Sequence, residues 1–164
     1  MIKSRTIIVI TILSVFFTLF TGCTSDPVAD DLTNYMNNQM QEVSKIQNKY
    51  LTLLSDITES ENTNIQTVIT QIKDEVLPRS DRLIAEAKKI NPATEEVKIL
   101  HNKYIAAMTK QNKGLVEMLK GLQNYDNETV KDGSKIITEA NEEFTIFLNK
   151  IKVLAKEHGL EVQN

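Results

Sequence analysis

Apolar residues recur along most of this chain at alternating steps of three and four, the spacing that lines one face of a helix. In the first stretch they fall at Leu32, Met36, Val43, Ile46, Tyr50, Leu53 and Ile57, with Gln39 filling the one gap in the stripe. Asp26 before Pro27 predicts a cap followed by proline at the first helical position, and the polar run from Glu59 to Asn64 predicts a turn. A second stripe runs Ile65, Ile69, Ile72, Val76, Leu83, Ala87, Ile90. Pro78 interrupts it, but residues 76 and 83 are one heptad apart, so the stripe resumes in phase. Proline removes a donor and crowds the preceding turn, which predicts a kinked helix; a clean break into two is the alternative. Asn91 and Pro92 predict the start of the next helix, with Glu95 and Glu96 in its first turn.

The third stripe is Val97, His101, Tyr104, Met108, Gln111, Leu115, Met118, Leu122. After a turn at residues 124–127, the fourth is Val130, Ile137, Phe144, Leu148, Ile151, Ala155, backed by Phe147 and Leu154. Gly159 followed by Leu160 predicts a left-handed helix end with an apolar follower. Four amphipathic segments of about 26 to 32 residues joined by short turns predict an all-α fold, an antiparallel up-down four-helix bundle with coiled-coil-like seams and a Pro-kinked second helix. An even number of helices brings both ends of the body, and the turn near Asn91, to one end of the bundle.

The amino end has a different pattern. Lys3 and Arg5 precede an apolar run from Ile7 to Phe20. As a helix that run rises about 21 Å, short of the roughly 20 residues that cross a bilayer core. A basic start, a short apolar run and small residues before a break make a secretory signal rather than a span. The chain's single cysteine, Cys23, follows immediately, after Leu19, Phe20, Thr21 and Gly22.

Those residues resemble the lipobox of bacterial lipoprotein precursors, with Phe20 where that family more often carries Leu, Val or Ile. The resemblance implies cleavage between Gly22 and Cys23 and a diacylglyceryl group on the Cys23 thiol, with fatty acyl chains such as palmitate. The domains expected are a signal peptide over 1–22, a lipidated tether over 23–27 and a helical bundle over 28–164. The alternative for Cys23 is a free thiol or an intermolecular disulfide. Beyond the lipobox, the body is similar to small helical lipoproteins of Gram-positive bacteria. The implied location is the extracytoplasmic face of the cell membrane.

Cleavage would remove Lys3 and Arg5, leaving 17 basic residues against 22 acidic ones, a charge of −5. That balance disfavours nucleic acid, which needs a basic face. It also predicts a body standing off an anionic membrane on a short stalk, since residues 24–27 reach roughly 13 Å when extended.

Candidate chemistry is sparse. The residues three before His101 and His158 are Lys98 and Ala155, so neither histidine makes the Glu-x-x-His pair of di-metal bundles. There is no Gly-rich phosphate loop, haem attachment pair or zinc helix motif. No metal, cofactor or catalytic activity is expected. Gln39, His101 and Gln111 lie on seam positions and are the candidates for a polar ligand pocket; polar seam residues more often fix helix register. Met36, Met40, Met108 and Met118 read as core, and Glu139, Glu142 and Glu143 as a solvated face. The function expected is a lipid-anchored extracytoplasmic protein that binds another envelope protein. The alternative is a small-molecule or metal-binding sensor or uptake accessory using the polar pocket.

Overall fold

The structure is a computed structural model and describes residues 20–21, 26–59 and 64–162. Most of the leader, Gly22, Cys23 and the centre of the predicted turn after Glu59 lie outside the described residues.

The described residues are almost wholly helical. A first rod spans α1 (Pro27–Asn34), a π-helical turn at Tyr35–Gln39, and α2 (Gln41–Glu59). A second spans α3 (Ile65–Gln71), a π-helical turn at Ile72–Val76, and α4 (Leu77–Ala87). Then come two uninterrupted helices, α5 (Glu95–Gln123) and α6 (Asn127–Glu157). The one extended pairing is two residues long: β1 (Phe20–Thr21) runs antiparallel to β2 (Glu161–Val162).

The helix ends follow the local chemistry. The Asp26 carboxylate accepts from the N–H groups of Val28 (2.9 Å) and Ala29 (3.3 Å), with Pro27 at the first helical position. Asp126 does the same for Glu128 and Thr129 at the start of α6. At the end of α6, Gly159 takes a left-handed φ of 70°, its N–H donates to the Lys156 carbonyl, and Leu160 N–H donates to Ala155 at 2.8 Å. Two such bonds around a left-handed residue satisfy the last carbonyls of a helix, and Leu160 is buried as the apolar follower.

The start of α5 differs from the expectation. The helix begins at Glu95, with Thr94 before it and Pro92 buried in the connection rather than opening the helix. The Thr94 N–H and hydroxyl both donate to Asp31 Oδ2 on α1, each at 2.7 Å. A tertiary carboxylate thereby takes the place of a local cap and moves the boundary past Asn91 and Pro92.

The two π-helical turns explain the other departures. In the first, Met40 N–H donates five residues back to Tyr35. That wide turn admits one extra residue, so Met40, not Gln39, occupies the core, and the buried positions continue as Val43, Ile46, Gln47, Tyr50, Leu54 and Ile57. Leu53, predicted for the seam, is only partly buried. In the second, Leu77 N–H donates to Ile72, again five back. The wide turn ends immediately before Pro78, which enters the first turn of α4, where a missing N–H is tolerated.

Tertiary hydrogen bonds give the directions of packing. Tyr35 meets His101, Gln47 meets Tyr104 and Tyr50 meets Gln111, so the first rod runs parallel to α5. Asp81 accepts from Asn112, and Ile69 and Ile72 cluster with Leu119, so the second rod runs antiparallel to α5. α5 and α6 run antiparallel and make the most extensive contact of any pair. His158, after α6, bonds through Nδ1 to Asp26 Oδ2 at 2.7 Å. Both ends of the helical body and the start of α5 therefore share one end.

Glycine sets the closeness of α5 to α6. A Cβ on Gly133 would lie 2.5 Å from the Met118 backbone nitrogen and 2.8 Å from the Gly114 carbonyl. One on Gly114 would lie 2.9 Å from the Gly133 carbonyl. The backbones meet where a side chain would hold them apart.

Candidate functional site: a buried polar ladder between the first rod and α5

The polar seam residues occupy a line of tyrosine contacts through the core. Tyr35, Tyr50 and Tyr104 are each fully buried. A buried phenol contributes a large apolar ring but needs a partner for its hydroxyl. Each of the three has one on the facing helix.

At the end of the bundle that holds Asp26 and His158, Tyr35 Oη lies 3.1 Å from His101 Nδ1, and the rings meet edge-on at 5.5 Å. Three residues on along α5, Tyr104 donates to Gln47 Oε1 at 2.9 Å, its ring packed against Phe144 and Phe147. Further along, Tyr50 donates to Gln111 Oε1 at 2.9 Å, and Gln111 Nε2 donates to Asn141 on α6 at 3.1 Å. Ser80 on α4 also meets the Tyr50 hydroxyl. The ladder thus links the first rod to α5 at three levels and reaches α4 and α6 at the third.

Burial raises the pKa of all three tyrosines, since it penalises the phenolate. Burial also lowers the pKa of His101, because the imidazolium is the form it penalises; the Ala87 backbone carbonyl at the end of α4 acts the other way. His101 is thereby neutral at neutral pH. Where Tyr35 donates to Nδ1, the imidazole proton is on Nε2, and that nitrogen is buried. His101 is 3% exposed.

The three predicted pocket residues are placed apart. His101 and Gln111 are ten residues apart on α5, about 15 Å, with the Tyr104–Gln47 pair between them. Gln39 is half-buried in the first π-helical turn, and among the described residues its Oε1 has no hydrogen-bond partner. Tyr35, Gln47, Ser80 and Asn141 were not singled out from the sequence. Taking Met40 as the seam residue would have put Gln47 on the stripe, four after Val43.

No group of three or more His, Cys, Asp or Glu side chains among the described residues is arranged to hold a metal ion. At the surface, Lys110 bridges Glu139 and Glu143 across α5 and α6, 2.9 Å from each. Glu143 first and then Glu139 raise its pKa, and Lys110 lowers that of Glu139. No described helix is long and apolar enough to cross a membrane.

Compared with known protein families, residues 4–153 match the EMYY-motif containing lipoproteins. The chain belongs to that family. The match runs from residue 4 almost to the end of α6, so it takes in residues 19–23 and all four helical stretches. A Glu-Met-Tyr-Tyr run does not itself occur in this sequence. Membership implies, at a general level, a lipid-anchored protein on the extracytoplasmic side of a membrane. No curated protein and no solved structure matched the chain.

Proposed function

We propose that this lipoprotein is cut between Gly22 and Cys23, carries diacylglycerol on Cys23, and presents an up-down four-helix bundle with no catalytic role to another envelope protein. The observation that carries this reading is the position of Cys23. It follows the short apolar run and small residues of a lipobox in a chain of a lipoprotein family, three residues before the carboxylate that starts the first helix. Cleavage there also removes Phe20 and Thr21, and with them the two-residue pairing to Glu161–Val162. A two-stranded pairing that short is marginal in water, so the bundle loses little by it.

The bundle supports a binding role rather than a pocket. His101 and Gln111 already satisfy tyrosines, which favours register over ligand capture. The wide turns at 35–39 and 72–76 place the first and second rods' irregularities on the half of the molecule that is not glycine-packed. Such turns recur at functional sites.

The test is fractionation with cross-linking. Wild-type chain should sediment with membranes and cross-link to a discrete envelope protein, while Cys23→Ala should leave the mature-length body unanchored or the leader uncut. Membrane association of a Cys23→Ala product that has lost residues 1–22, or cross-links only to abundant neighbours, would refute the reading.

A further inference from the structure

The charge of −5 expected for the cleaved chain is not spread evenly. Residues 97–113 carry Lys98, Lys103, Lys110 and Lys113, and residues 144–156 carry Lys150, Lys152 and Lys156; neither stretch contains a carboxylate side chain. The ten other basic residues of the cleaved chain are set against all 22 acidic ones. The antiparallel packing of α5 on α6, with Tyr104 against Phe144 and Phe147, lays these two stretches side by side.

The outer seam of that pair is defined by Lys110 reaching Glu139 and Glu143. From those residues, steps of three and four lead along α5 to Ala106, Lys103 and Ile99, and along α6 to Ile146, Lys150 and Val153. Ile99, Ile146 and Val153 are 49%, 51% and 54% exposed. Lys103 and Lys150 are exposed, and neither has an ion-pair partner among the described residues. Along the two helices the carboxylates that flank these stretches are Glu95, Glu96 and Glu117 on α5, and Glu142, Glu157 and the pair that Lys110 occupies on α6.

This basic and apolar face lies at the tether end. His158, immediately after α6, holds Asp26, and Cys23 is three residues before Asp26. Three residues span at most about 11 Å, close to the Debye length of about 8 Å at physiological salt.

We propose that this outer face of α5 and α6 lies against the anionic leaflet that holds the anchor. Lys103 and Lys150 sit among the headgroup phosphates, and Ile99, Ile146 and Val153 sit at the headgroup boundary. The bundle is then tipped onto its side, and the acidic rods over 27–87 face outward toward a partner. This replaces the stand-off posture that net charge alone suggests. It rests on the proposed anchor at Cys23.

The test uses the mature lipidated protein in vesicles, with a nitroxide on Val153→Cys and, as an aqueous control, on Thr52→Cys. In vesicles containing phosphatidylglycerol, the label at 153 should be several-fold less accessible to a water-soluble nickel relaxant than the label at 52. The difference should vanish in pure phosphatidylcholine, and in the variant Lys103→Glu/Lys150→Glu with its helical circular dichroism intact. Equal accessibility at 153 and 52 on anionic vesicles overturns the proposal. So does shielding that survives the charge reversal, or shielding that develops only when an acidic envelope protein is added. Flotation separates the layers: a chain that fails to float with vesicles has lost the anchor, and the orientation with it, whereas one that floats with an exposed label has lost the orientation alone.

Discussion

The two halves of this molecule solve helix packing differently. The α5–α6 hairpin is regular, and its backbones touch at Gly114 and Gly133. The rods over 27–59 and 65–87 each carry a π-helical turn, and the first is joined to α5 by pairs of buried polar groups. Close backbone contact leaves one way to pack. Polar pairs also choose one register, but their net contribution is about 1 kcal/mol each. The hairpin is the scaffold, and the irregular rods are fitted onto it.

The largest test of that contrast is Gly133→Ala. Its Cβ meets the Met118 backbone, which cannot rotate away. The expected loss is about 2–3 kcal/mol even though alanine favours helix, read as a fall in chemical-denaturation midpoint. Asn38→Ala, on the exposed face of the first π-helical turn, should change stability by less than about 0.5 kcal/mol. Equal effects at the two sites would erase the distinction.

Next in size is the ladder. Tyr104→Phe strands the Gln47 carbonyl oxygen in the core, at a cost of about 1–3 kcal/mol. Adding Gln47→Leu removes the stranded group and should recover part of the loss. A double-mutant cycle with no coupling would mean the pair does not hold the first rod to α5.

Acid should loosen the same junction. Burial lowers the His101 pKa in the folded state, so below about pH 6.5 the unfolded chain binds the extra proton first. Stability therefore falls as pH drops from 7 through the unfolded value and on to the folded one. The Asp26 pKa is lowered too, first by its bond to His158, so its contribution is present above the ordinary carboxylate range and is lost as pH falls through the folded value. Melting curves from pH 7.5 to 5 should show a decline that His101→Leu flattens; an identical decline in the variant would place the titration elsewhere. The smallest effect belongs to Lys110→Gln at the exposed bridge to Glu139 and Glu143. Its shift in melting temperature should shrink further in high salt.

The regular half was the more legible in the sequence. The α5 stripe matches the buried positions from Val97 to Met118, and the α6 stripe matches from Val130 to Ala155 except at Leu148, which is half-buried beside the buried Phe147, because a helix without insertions keeps its phase. In the first rod Leu32, Met36, Val43, Ile46, Tyr50 and Ile57 are buried as expected, and the two misreadings are Gln39 for Met40 and Leu53 for Leu54. A heptad fits Gln39 and Met40 equally well by spacing, and only the extra residue of the wide turn decides for Met40. Pro78 signalled an irregularity, but not that the chain would widen before it. The start of α5 was misplaced because Asp31, 63 residues away, binds Thr94. At the site, His101 and Gln111 were legible as polar groups on a seam. Their tyrosine partners were not, since Tyr50 and Tyr104 counted as apolar and Tyr35 fell beside the stripe.

The measurement that bears most directly on the account is the intact mass of the chain extracted from its native membrane. The expected product begins at Cys23 and is heavier than the polypeptide by a diacylglyceryl group. A product that keeps residues 1–22, or one with an unmodified Cys23, would contradict it.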